Sequence, residues 1–143
     1  MGRRAVMNLL LDTHIWLWVQ KGDAGKLSRS FIQELEDRQR ESQLFLSAIS
    51  VLEIARLVAF NGYSLGQSVD SFVEEASTDG GLQLLDLSPR ILIDSTRLPG
   101  EFHRDPSDRL LAATARAHGL TLITQDKPML NYAKAGHLNA RKP

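Results

Sequence analysis

The stretch Asn8-Leu9-Leu10-Leu11-Asp12-Thr13-His14 decides how the rest of the chain is read. Three successive leucines without polar alternation fit a strand covered on both faces, and an aspartate follows them directly. Three more apolar runs of strand length follow: Leu44-Phe45-Leu46, Leu82 to Leu87, and Leu120-Thr121-Leu122-Ile123. Between them the apolar spacing turns helical. Ser28 to Arg40 places Phe31, Ile32 and Leu35 on one face, and Val51 to Phe60 carries Val51, Leu52, Ile54, Ala55, Leu57 and Val58. Val69 to Ala76 and Ile91 to Leu98 are shorter. Asp108 to His118 carries Leu110, Leu111 and Ala113, and Gly119 then suits a helix end. Strands alternating with helices predict right-handed βαβ units and a parallel sheet with helices on both faces. The expected fold class is therefore α/β. It is a three-layer α/β/α sandwich around a central parallel sheet of four or five strands, the fifth being a short strand around His137-Leu138.

The 143 residues fit one domain spanning 1–143, with Met1 to Val6 as an upstream extension if Met7 is the true start. A chain of this size buries roughly 70% of its unfolded surface, enough for a core without staples. No cysteine is present, which excludes a disulfide scaffold, a thiolate zinc site and a cysteine nucleophile. Lys+Arg and Asp+Glu are 17 each, so any nucleic-acid contact must come from a local patch or from bound cations. Near-zero net charge also favours association with another chain. No apolar run approaches the ~20 residues of a membrane span, and no signal-peptide core is visible, so a cytoplasmic protein is expected.

The acidic residues fall where the topology would gather them. In a parallel sheet the ligand site lies beyond the carboxyl ends of the strands. Asp12 follows the first strand and Asp126 the fourth; Glu53 lies early in the helix after the second; Asp105 and Asp108 open the helix before the fourth. Each has an ordinary explanation. Asp12, Asp105 and Asp126 all suit helix N-caps, and Ser50-Val51-Leu52-Glu53 fits a capping box. Caps alone would scatter over both ends of the sheet, whereas these gather at one. Carboxylates brought together repel, and at least one should have a raised pKa unless a cation is bound. Oxygen ligands without thiolates suit Mg²⁺ or Mn²⁺. In two-metal phosphodiesterases such ions activate water and neutralise the leaving oxygen, so no side-chain nucleophile is required.

The motifs then resemble those of a known family. Leu9 to His14 looks like the opening of a PIN domain, and Ser47-Ala48-Ile49-Ser50-Val51-Leu52-Glu53-Ile54 looks like its second motif. His103-Arg104-Asp105-Pro106-Ser107-Asp108-Arg109-Leu110-Leu111 resembles the third motif of the VapC-like branch, and Leu122-Ile123-Thr124-Gln125-Asp126 the fourth. The order holds from residue 8 to about residue 132. The resemblance implies a Mg²⁺- or Mn²⁺-dependent endoribonuclease, the toxin of a toxin–antitoxin pair. It would form a homodimer and be blocked by a cognate antitoxin. It implies Asp12, Glu53 and Asp108 as main metal ligands, with Asp126 completing the acidic site. Thr13, Ser47 and Thr124 match positions where a hydroxyl supports the site, Ser50 fits the same role, and Asp105 reads as a helix cap beside the ligands.

Other residues carry weaker signals. His14, Arg109 and Lys127 are candidate contacts to an RNA substrate, and Arg109 could equally pair with Asp105. Of Trp16 and Trp18, two apart in the first helix, one should face the core. Two other functions compete: a non-catalytic PIN-like module that binds RNA or protein, and a receiver-like phosphoryl-transfer domain. The complete acidic set argues against the first. The single aspartate after the first strand and the lack of a glycine-rich phosphate loop argue against the second.

Overall fold

The computed structural model describes residues 8–143, so the upstream extension considered above lies outside the described residues. Five strands form one parallel sheet in the order β3-β2-β1-β4-β5. They are β1 (Leu9–Leu11), β2 (Leu44–Ser47), β3 (Gln83–Leu85), β4 (Thr121–Ile123) and β5 (Ala140–Arg141). The helices are α1 (Thr13–Gln20), α2 (Arg29–Arg40), α3 (Ala48–Asn61), α4 (Val69–Thr78), α5 (Pro89–Asp94), α6 (Pro106–His118) and α7 (Lys127–Lys134), with a short 3₁₀ turn at Ala24–Lys26.

β1 is the centre of the sheet, and its three leucines are 0% exposed. Leu9 and Leu11 pack with Trp16, Phe31, Leu35, Ile54 and Phe72 on one face. Leu10 packs with Leu111, Leu122, Met129 and Tyr132 on the other. Each such burial contributes roughly 1.5–3 kcal/mol relative to an exposed side chain. Because side chains alternate with period two, a one-residue slip would swap the two faces, so the register is firmly specified. Leu9 sits opposite Leu44 and Thr121, and Leu11 opposite Ile123. The expected three-layer sandwich is thus present.

Some boundaries differ from the expectation. The fifth strand lies at Ala140–Arg141 rather than around His137-Leu138; Leu138 is buried just before it, in the core beside Tyr132. The helix expected over Ile91 to Leu98 spans Pro89–Asp94, because Ser88 caps it by accepting from the Ile91 amide and Pro89 follows at its first position. The run Leu82 to Leu87 supplies only three strand residues, as suits an edge strand whose Leu84 is 47% exposed. Among the described residues no helix is long and apolar enough to cross a membrane.

From β1 the chain builds β2 and β3 to one side, then returns to add β4 and β5 on the other. The order therefore reverses between β1 and β4, and a crevice opens outside the carboxyl ends of those two strands. Asp12 and Asp126 flank that crevice.

Candidate active site

Each acidic side chain reaches the crevice because a helix starts or turns there. Asp12 is the N-cap of α1: its Oδ1 accepts from the Thr13 amide at 2.6 Å. Its own amide donates to the Ile123 carbonyl at 3.0 Å, which binds the end of β1 to the end of β4. Its Oδ2 accepts from the Thr124 hydroxyl at 2.6 Å. Thr124 also accepts from the Asp126 amide at 3.0 Å, and Asp126 caps α7 by accepting from the Met129 amide at 3.2 Å. Asp105 caps α6 by accepting from the Asp108 amide at 3.0 Å, followed by Pro106 at the first helical position. The capping and the clustering explanations both hold, for the same residues.

Glu53 is different. Ser47, not Ser50, caps α3, by accepting from the Ile49 amide at 3.1 Å. The capping box expected from Ser50 to Glu53 is therefore absent, because Ser50 already lies within the first turn. Instead the Thr13 hydroxyl sits between Ser50 Oγ, at 2.8 Å, and Glu53 Oε1. Thr13, Ser47, Ser50 and Thr124 are all buried. Three of these hydroxyls bind the acidic residues or each other, while Ser47 is used by the backbone.

The electrostatics follow from burial and crowding. Burial raises the pKa of Asp12, opposed by the hydrogen bonds from Thr124 and Thr13 and by nearby His14, and supported by Asp126. Burial also raises Glu53, against the Thr13 hydrogen bond and with Asp12 and Asp105 adding to the rise. Asp108 is pushed up to about 7, first by burial and then by Asp105, Asp126, Asp12 and Glu53. Four carboxylates acting on a fifth define one negative cluster.

The sequence reading missed a member of this cluster. His103, Asp108 and Asp126 offer ligand atoms all within 4.8 Å of one another. His103 Nε2 lies 3.0 Å from Asp108 Oδ2 without the alignment of a hydrogen bond, and this buried nitrogen has no hydrogen-bond partner. An unpartnered buried nitrogen is costly. Beside carboxylates with raised pKa values, it fits a site completed by a cation. The available signal was a histidine five residues before Asp108, at the head of the third motif, where only the aspartates were read as site residues.

The three residues expected to meet the substrate differ in their surroundings. The Arg109 guanidinium forms no ion pair with Asp105; the two residues meet only through the helical bond from the Arg109 amide to the Asp105 carbonyl, at 3.0 Å. The guanidinium donates to the carbonyls of Ser95 (2.7 Å), Phe102 (3.2 Å) and His103 (3.1 Å), holding the loop before α6. The alternative pairing with Asp105 is thereby replaced: three backbone carbonyls take the guanidinium. Lys127 is exposed at the start of α7, beside Asp126. His14 is exposed on α1 and acts on Asp12 and Glu53 through space.

The PIN domain family profile matches residues 9–135. The chain belongs to the PIN domain family. This PIN domain is 29% identical over 124 residues to ribonuclease VapC22 of Mycobacterium tuberculosis, a match covering 87% of this chain and 91% of the relative. Its fold resembles that in DNA-bound VapBC from Salmonella typhimurium, with a TM-score of 0.67, 16% identity and coverage of 96% and 98% of the two chains. It also resembles FitAcB from Neisseria gonorrhoeae, with a TM-score of 0.65, 20% identity and coverage of 94% and 97%. PIN ribonucleases generally use a divalent metal, and the crevice supplies a candidate acidic cluster for one.

Proposed function

We propose that this PIN domain is a Mg²⁺- or Mn²⁺-dependent endoribonuclease, the toxin of a toxin–antitoxin pair, with Asp12, Glu53, Asp108 and Asp126 as its metal-binding carboxylates. The observation that carries this reading is the convergence of half-buried, mutually repelling carboxylates from four elements on one crevice. A bound divalent ion would lower the pKa of a coordinated water and neutralise charge on the leaving oxygen. The chain's own groups supply the rest. Thr124 and the Thr13 amide fix the Asp12 carboxylate. The Thr13 hydroxyl links Ser50 and Glu53, so that α1 and α3 present their acids together. Asp105 holds the first turn of α6 and thereby orients Asp108. His103 Nε2 is available as a further ligand or as a donor towards a phosphate oxygen.

The relative named a ribonuclease and the neighbours of VapBC type support RNA as substrate and an antitoxin as partner. A homodimer is supported by apolar side chains left exposed on α3 (Leu52, Phe60) and α5 (Leu92, Ile93). The test is cleavage of total cellular RNA by the purified protein with Mg²⁺, Mn²⁺ or EDTA. Discrete fragments that require metal, and that Asp12→Asn abolishes, support the reading. Undiminished cleavage by the folded Asp12→Asn variant, or in EDTA, overturns it.

A further inference from the structure

A groove of about 570 Å³ leads away from the acidic crevice between α1 and the end of α3. It is lined by His14 and Trp18 from α1, Lys21 at its C-cap, Lys26 from the 3₁₀ turn, and Leu57 and Tyr63 from α3 and beyond. His14, Trp18 and Lys21 are spaced four and three apart, so they share one face of α1. That face begins one residue after Thr13 and runs roughly 10 Å along the helix. Leu57 stands one turn beyond Glu53 on α3. His14, which lines the groove, also acts on Asp12 and Glu53, so the groove begins beside the carboxylate cluster.

Its chemistry is aromatic and basic. Lys21 Nζ lies 4.9 Å from the Tyr63 ring centroid and donates to Tyr63 Oη and the Ser64 carbonyl, each at 3.3 Å. Lys26 Nζ lies 5.3 Å from the Trp18 ring centroid. Asp23 sets one carboxylate against these groups. Trp16, by contrast, is fully buried, with its Nε1 donating to Gln20 at 2.7 Å. A half-buried tryptophan and a tyrosine, each under an ammonium, match the platform that single-stranded nucleic acid uses. Bases stack on the rings and lysines meet the backbone. Lysine is depleted from the cores of protein interfaces, which disfavours a protein occupant.

We propose that the α1–α3 groove holds the single-stranded RNA flanking the scissile phosphate, through stacking on Trp18 and Tyr63 and backbone contacts from Lys21 and Lys26. This rests on the ribonuclease reading and adds the path of the strand. The two lysines leave the ring faces for phosphates as bases enter.

The experiment uses the full chain carrying Asp12→Asn, in Mg²⁺, with a mixed-sequence single-stranded 12-mer RNA as probe. Tryptophan fluorescence should be quenched on binding, and Trp18→Phe should remove the quench while keeping most of the affinity. Trp18→Leu should weaken binding on the order of tenfold. Lys21→Ala with Lys26→Ala should reduce the log–log salt slope by about 1.4, near 0.7 per phosphate contact on a single strand. These two surface lysines keep the test valid if Trp18→Leu fails to fold. Unchanged affinity and slope in the groove variants, with Asp12-dependent cleavage intact in the parent protein, overturn the groove alone. Lack of cleavage by the parent overturns the ribonuclease reading instead. An altered oligomeric state in the groove variants, with RNA binding untouched, assigns the surface to a protein contact and overturns the proposal.

Discussion

Ser28 at the start of α2 and Asp126 at the start of α7 perform the same local task. Ser28 accepts from the Phe31 amide at 3.1 Å, and Asp126 accepts from the Met129 amide at 3.2 Å. Both satisfy a donor that a helix start leaves without a partner. Their surroundings differ. Ser28 is exposed and neighbours the Ser30 hydroxyl. Asp126 lies within ligand distance of Asp108 and His103, at the crevice where the strand order reverses. A cap becomes a candidate ligand when the topology brings other carboxylates to it. The local sequence grammar of the two sites is the same.

That contrast can be broken by experiment, beginning with the largest effect. Asp12→Asn should lower RNA cleavage by at least about a hundredfold, because the residue would hold metal directly and removing even a supporting group around a ligand costs 10–100-fold. Thr124→Val should cost about 10–100-fold in metal affinity, read by Mn²⁺ titration, since it frees the Asp12 carboxylate and removes the acceptor of the Asp126 amide. An unaltered affinity would show that the hydroxyl is only packing.

Asp108 gives a pH test. Its folded pKa of about 7 stands above the ordinary 3.8, so between these values the metal-free folded protein holds a proton that the unfolded chain has released. Stability from this group is therefore full below about pH 4 and is lost as the pH rises through about 7. Asp108→Asn should make the metal-free protein more stable at pH 8, on the order of 2 kcal/mol once solvent screening of this half-open site is allowed for. The gain should vanish near pH 4 in denaturant titrations. An equal effect of the substitution at both pH values would mean that neither burial nor the neighbouring carboxylates raise the Asp108 pKa. The smallest effect is Ser28→Ala, which should cost about 1 kcal/mol of stability and leave cleavage unchanged. A loss of activity there would erase the distinction between the two kinds of cap.

Much of this was legible in the chain. β1 and its aspartate could be read because a leucine run bounded by Asp12 leaves little choice of strand or register, and the other acids could then be placed by topology. What stayed hidden depends on directions that spacing does not encode. Ser50 and Glu53 have the spacing of a capping box, yet the cap formed three residues earlier at Ser47, and Thr13, 40 positions before Glu53, took its place as partner. Arg109 stands next to Asp108 in sequence, but a helix turns successive residues about 100° apart, and its guanidinium went to loop carbonyls. His103 belongs to the cluster only because the loop held by Arg109 folds it back towards Asp108.

The most direct test of the central claim is calorimetric Mn²⁺ binding at pH 8 to the parent protein and to folded Asp12→Asn and Asp108→Asn variants. Binding in the parent that weakens as the pH is lowered through about 7, and that is lost in both variants, is the predicted result. Equal binding in all three proteins, independent of pH, would contradict it, since the carboxylates of the crevice would then not be the ones that hold the ion.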